Sequence, residues 1–146
     1  MKKIFKFLFL LIPWFIGGLL WSSDQTFYKS LNKPFFAPPG ILFAIIWPIL
    51  YILIALSIYK VANKNKDYLK ALIINYFSNQ IFSFLFFTIK SPFIAMIDTI
   101  IVLISSLFLY NESKKDNNKS ALLLIPYIIW NIFASILIIS IYFMNI

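Results

Sequence analysis

The chain has no cysteine, no histidine and no arginine. Without cysteine there is no disulfide and no thiolate chemistry, and redox compartment leaves no mark. Without histidine the commonest metal ligand and the commonest general base are both gone. Acid is scarce too, with 5 carboxylates in 146 residues, and none cluster at metal-ligand spacing. No glycine-rich phosphate loop and no nucleophile elbow occurs, so the soluble-enzyme motifs are excluded, no metal is expected, and enzyme activity is not the first reading. What is plentiful is apolar: 62% of residues are hydrophobic, mean hydropathy is +0.88, and 12% are charged, against roughly a quarter in a soluble domain. The apolar residues come in long runs, which is the pattern of an integral membrane protein whose surroundings are the lipid bilayer. The net charge of +8 does not point to nucleic acid, because the lysines sit at the ends of the apolar runs, where membrane topology accounts for them.

Read in order, the chain predicts an all-α bundle of five transmembrane helices forming one domain over 1–146, with helices at about 4–22, 41–61, 68–89, 92–110 and 120–144 and an outer loop at 23–40. The first run, behind Lys2, Lys3 and Lys6, is longer than the apolar segment of a signal peptide and lacks a cleavage site. Trp14, Gly17, Gly18 and Trp21 share one face of it, with glycines suited to close helix packing and tryptophans to an interface. Pro48 lies inside the second helix and is expected to loosen it. On the third, Asn75, Asn79, Phe82, Ser83 and Phe86 form one polar and aromatic stripe. Asparagines there also read as interhelical hydrogen-bond glue. No internal repeat is visible.

The stretch from Tyr28 to Tyr51 organises the rest. Pro34, Pro38, Pro39 and Gly40 cannot be helix interior, and the residue before each proline is pushed toward extended backbone. A stiff, extended loop therefore leads into a helix with Phe43, Trp47 and Tyr51 on one face, like a lid joined to one wall of a pocket. Trp47, Tyr51, Asn79, Phe82, Phe86, Trp130, Phe133 and Ala134 could line a single cavity for a flat apolar ligand. The alternative is that they pack on one another or on lipid. Asp98 is the acid well inside an apolar run, a functional candidate by its cost. It could instead reach the outer interface or pair with Lys90.

Three blocks of residues resemble the TspO/translocator-protein family of tryptophan-rich sensory proteins, related to the peripheral benzodiazepine receptor. The first is Phe27, Tyr28, Leu31, Lys33, Pro34, Phe36, Pro38, Pro39, Phe43, Trp47, Leu50 and Tyr51; the second Asn79, Phe82, Ser83, Phe86 and Phe87; the third Leu123, Leu124, Pro126, Tyr127, Trp130, Phe133, Ala134 and Leu137. Phe36 and Phe82 stand where the family commonly has tryptophan, and Ile138 where it commonly has asparagine. The resemblance implies binding of porphyrin as a ligand, not a cofactor, between these helices and under the loop. It implies contacts from Tyr28, Pro38, Phe43, Trp47, Tyr51, Asn79, Phe82, Phe86, Asp98, Trp130, Phe133 and Ala134, and a homodimer as in family members. Some members degrade porphyrin in light; if this chain does, Tyr28, Trp47 and Trp130 are the expected oxidisable rings. With no histidine or cysteine for an axial ligand, metal-free protoporphyrin is expected over haem. The rival function is a transporter, or a signalling scaffold acting through a partner protein.

Lys2, Lys3, Lys6, Lys60, Lys64, Lys66, Lys70, Lys114, Lys115 and Lys119 fall on one side of the predicted membrane, and Lys29, Lys33 and Lys90 on the other. The positive-inside rule then predicts a multi-pass cell membrane protein of a bacterial cell, with the N-terminus in the cytoplasm and the C-terminus outside. Single cysteines placed at positions 33, 64 and 115 check this against a cysteine-free background. An impermeant thiol reagent applied to intact cells should label position 33 alone, and labelling at 64 but not 33 would reverse the orientation.

Overall fold

The computed structural model describes residues 1–146 and contains helices and turns but no strand. Five helices are long and apolar enough to cross a membrane. They are α1 (Lys2–Leu20), α3 (Gly40–Lys60), α4 (Lys66–Thr88), α5 (Pro92–Asp116) and α6 (Asn118–Met144), with a short α2 (Gln25–Ser30) in the first loop. α1 packs on α3 and α4, α3 on α6, α6 on α5 and α5 on α4, so the helices close a ring. One end carries the N-terminus and the lysine-rich turns, and the other carries the proline loop and the C-terminus.

The ends of the helices follow from local chemistry. Asn65 and Asn117 cap α4 and α6 by accepting from Tyr68 N at 2.8 Å and Lys119 N at 3.0 Å, the preferred asparagine role at an N-cap. Asp116 accepts from Ala62 N at 2.8 Å and Asn63 N at 3.1 Å, which locks the end of α3 to the α5–α6 turn. α5 therefore continues past Tyr110 to Asp116 rather than stopping near 110. At the opposite turn Lys90 takes a positive φ of 58°, where a short reversal between two long helices needs left-handed backbone.

Two of the spans are not uniform helices. α1 passes through a 3-10 turn at Ile12–Phe15, because Pro13 has no N–H to give and crowds the preceding turn. α4 ends in a π turn at Phe84–Thr88. The break in α1 is filled by Gln80 of α4: its Nε2 donates to Trp14 O at 3.1 Å and its Oε1 accepts from Gly17 N at 2.7 Å. Tyr76 donates to Pro13 O at 3.0 Å. This approach needs the glycine, since a Cβ on Gly17 would lie 2.6 Å from Gln80 O. Gly18, by contrast, has nothing within 4 Å of its Cβ direction, so of the two glycines only Gly17 serves close packing.

From that plug a buried polar chain crosses the bundle. Gln80 Nε2 also donates to Asn79 Oδ1 at 3.2 Å, and Tyr51 OH donates to the same oxygen at 3.4 Å. Asn79 Nδ2 donates to Tyr127 OH at 3.2 Å, and Tyr127 OH donates to Asn75 Oδ1 at 3.0 Å. Asn75 Nδ2 donates to Val102 O at 3.1 Å and Ser105 Oγ at 3.0 Å. All five spanning helices contribute. Gly17→Ala should cost about 1–3 kcal/mol, the usual range for forced overpacking, whereas Gly18→Ala should leave stability unchanged within about 0.5 kcal/mol. Thermal unfolding of the two variants in detergent makes the comparison; equal melting temperatures would show that the α1–α4 contact is not tight.

Candidate functional site

The proline-loop end of the bundle is closed by aromatic rings. Asp24 starts α2 by accepting from Phe27 N at 2.9 Å, and its other oxygen pairs with Lys90 at 3.1 Å. The Phe27 N–H first, and Lys90 second, hold the Asp24 carboxyl below its ordinary pKa. The loop contact it makes is therefore present above the usual carboxylate range and is lost as pH falls through the lowered folded value. α2 places Tyr28 on the inside, 6% exposed, with its OH donating to Pro38 O at 2.9 Å; burial pushes the phenol pKa up. Lys33 Nζ closes the far end of α2 by donating to the carbonyls of Tyr28 at 2.7 Å and Leu31 at 2.8 Å. Asn145 near the C-terminus holds the loop from the other side, accepting from Asn32 N at 3.0 Å and donating to Asn32 O at 2.8 Å. The loop is not extended throughout: Tyr28 sits in α2, and extended backbone flanks that helix at Asp24 and Leu31.

Under this loop the rings form a continuous set. Tyr28 meets Phe43 at 5.9 Å between centroids, Phe43 meets Trp130 at 5.8 Å, and Trp130 meets Phe133 at 5.3 Å. Phe36, from the loop, reaches Phe133 at 6.3 Å. Trp47 touches Trp130 edge to face at 6.5 Å and 89°, and leans on Tyr51 at 5.6 Å. Three helices, α2, α3 and α6, thus bring Tyr28, Phe43, Trp47, Tyr51, Trp130 and Phe133 together, and the two tryptophans are in contact rather than held apart. Trp130 is half-buried, and its Nε1–H is shielded with no hydrogen-bond partner. A buried indole N–H normally has one.

Of the remaining candidates, Pro38, Phe82 and Phe86 adjoin Tyr28, and Asn79 and Asp98 lie among buried polar groups. Phe82 and Phe86 stack on each other at 5.6 Å and 16°, beside Phe27. They belong with Tyr28 to an apolar cluster that also holds Leu137 and Ile141. Asn79 is 7% exposed, with its amide bonded on both sides within the polar chain. Asp98 is 6% exposed inside α5, and its Oδ2 has no partner. It does not pair with Lys90, whose partner is Asp24. Pro38 is buried beneath Tyr28, and Ala134 is half-buried on α6. Sequence reasoning passed over Gln80 and the break at Pro13 to which it answers. The signal was there, as a proline followed four residues later by a glycine within one apolar run.

The TspO/MBR family model matches residues 7–144. The chain is 38% identical over 135 residues to a protein of Bacillus cereus named "Tryptophan-rich protein TspO", covering 90% of this chain and 88% of the relative. It is 33% identical over 154 aligned positions to a protein of the same name from Archaeoglobus fulgidus, covering 99% and 97%. It is 38% identical over 134 residues to the "Uncharacterized membrane protein YtaB" of Bacillus subtilis, covering 88% and 86%.

The Tyr28 anchor yields a direct check. Tyr28→Phe keeps the ring but leaves the Pro38 carbonyl without its donor, which should cost about 1–3 kcal/mol. Amide exchange over residues 31–39 should quicken while exchange in α5 and α6 stays as it was. Unchanged protection in the loop would show that the hydroxyl does not fasten it.

Proposed function

The chain belongs to the TspO/MBR family, and from that premise we propose that it is a multi-pass membrane protein that binds a flat, apolar tetrapyrrole, of the protoporphyrin class, against Trp47 and Trp130 beneath the proline loop. The observation that carries this is the shielded, unpartnered Nε1–H of Trp130, whose ring meets three others, Phe43, Trp47 and Phe133. A planar ligand with ring nitrogens or carboxylates offers that donor an acceptor and offers the rings a stacking partner, each stack adding about 0.5–1.5 kcal/mol. The edge-to-face contacts among the rings involve no hydrogen bonds, so separating them to admit a ligand breaks none. The polar chain below keeps Tyr51 and Tyr127 fixed, so the floor of the site does not move with its roof.

The same rings suit an oxidative role. Tyr28, Trp47 and Trp130 form a contact path through Phe43, and electron-rich rings beside a light-excited porphyrin are the groups it would oxidise. Light-driven degradation is therefore proposed as a consequence of binding at this site. With the lysine-rich end in the cytoplasm, the site opens toward the outside of the cell.

Titration of purified protein with protoporphyrin, followed by tryptophan quenching, tests the reading. Trp130→Phe retains a ring but removes the free donor, and should weaken binding roughly 2- to 10-fold, as for one lost hydrogen bond. Trp47→Phe should weaken it less, and Trp130→Ala more than either. Both phenylalanine variants should lose most of any porphyrin conversion in light. Wild-type affinity in Trp130→Phe and Trp130→Ala alike would remove Trp130 from the site and the proposal with it.

A further inference from the structure

Away from the aromatic site, the seam between α1 and α3 at the lysine-rich end is incompletely filled. A groove of about 250 Å³ runs there, lined by Lys3, Ile4, Phe7, Leu56 and Tyr59. The stretch Lys2–Leu11 has no buried residue. Over the whole of α1 only 11% of the span is buried, against 28 to 39% in the other spans. Helices in a membrane gain no hydrophobic drive from meeting each other, so a half-packed seam is filled by lipid tails or by nothing.

The mouth of the groove is positive. Lys6 Nζ lies 5.3 Å from the centroid of the Tyr59 ring. Lys64 is held below its ordinary pKa by burial first and by the charge of Lys6 second. Both ion pairs of the protein lie elsewhere, Lys90 with Asp24 and Lys115 with Glu112. Asp116, whose charge favours the protonated form of Lys64, gives both carboxylate oxygens to the backbone N–H groups of Ala62 and Asn63. Lys3 thus lines the groove and Lys6 lies over one of its rings, neither with an ion-pair partner, while Lys64, which donates to Val61 O, stands close enough to Lys6 to feel its charge. Basic pockets between helices on one membrane face accept phosphate-bearing lipid headgroups, whose tails continue along the helix surface.

We propose that the α1–α3 seam is a binding site for an anionic phospholipid, with Lys3, Lys6 and Lys64 on the headgroup and an acyl chain along Ile4, Phe7 and Leu56. The lipid completes the packing of α1. The inference is independent of the tetrapyrrole reading, because it concerns the opposite end of the bundle and its test uses no porphyrin.

The test is thermal unfolding and native mass spectrometry of the full chain in neutral detergent with added dioleoylphosphatidylglycerol, dioleoylphosphatidylcholine or glycerol phosphate. Phosphatidylglycerol should remain bound and raise the melting temperature; the other two should do neither. The triple variant Lys3→Gln, Lys6→Gln, Lys64→Gln should bind it more weakly, roughly fivefold for each lysine removed. Lys66→Gln, Lys114→Gln, Lys119→Gln, which removes the same charge from the same face, should bind as wild type, and arginine at the three seam positions should restore binding. Equal loss in the two glutamine triples would reduce the effect to diffuse charge and overturn the site. Equal stabilisation by phosphatidylcholine or by glycerol phosphate would overturn the headgroup or the acyl groove, respectively. Cross-linking between two copies through a cysteine at position 4, undiminished by phosphatidylglycerol, would assign the seam to a second chain instead. If the seam triple fails to fold, the single Lys3→Gln variant carries the comparison.

Discussion

The bundle depends on an amide meeting a broken helix. Inside hydrocarbon every backbone N–H and C=O must be satisfied within the protein, and Pro13 leaves α1 with groups its own ladder does not use. Gln80 supplies one donor and one acceptor to that break. Each break and each amide would be costly alone; together they cancel. Hydrogen bonds of this kind contribute only about 0.6 kcal/mol each on average between membrane helices. Their larger consequence is selective, because a register slip on either helix would leave two amide groups and two backbone groups unpaired at once. The same residue hands the constraint onward to Asn79, Tyr127, Asn75 and Ser105, so one chain of bonds sets the register of five helices.

This placement divides the molecule into a fixed floor and an adjustable roof. Tyr51 is on the polar chain and Trp47 lies one turn away on the same helix, so the floor inherits the register. Phe36, Phe43, Trp130 and Phe133 meet by ring contacts alone, which have broad energy minima and no directional bond. The loop above is fastened at three places, Asp24 with Lys90, Tyr28 with Pro38, and Asn32 with Asn145. Such a roof can shift its rings while its edges stay anchored.

The five spans were legible because hydropathy and lysine position are one-dimensional signals, and the bilayer turns them directly into structure. The aromatic set at Phe43, Trp47, Trp130 and Phe133 was legible through its spacing and its family pattern. Asn75 was legible as interhelical glue. What the sequence did not disclose depends on two segments at once. Gln80 is unremarkable on α4 until Pro13 is opposite it. Asn79 reads as either a pocket amide or interhelical glue until Tyr51, Tyr127 and Gln80 are placed around it. Lys90 stands eight residues from Asp98 and far in sequence from Asp24, yet tertiary geometry gives it to Asp24. The helix at Gln25–Ser30 was not legible because six residues are too few to show a hydrophobic period, and the prolines that follow argue for extended backbone.

α1 shows how these constraints act together. It is held at its middle rather than along its length, by the Gln80 plug, by Tyr76 on Pro13, and by Trp14 against Tyr76 at 5.1 Å. Its lysine-bearing half rests on a partly open seam. Trp14 is 2% exposed and also meets Tyr51 at 5.9 Å, and Tyr51 in turn meets Trp47. The seam that accepts lipid and the rings that face the loop are thus joined through α1 by two ring contacts. Close-packed rings transmit displacement because they leave no slack to absorb it. From Trp47 the contacts run on to Tyr127 and Trp130 of α6, so the ring set joins the first helix to the last beneath the loop.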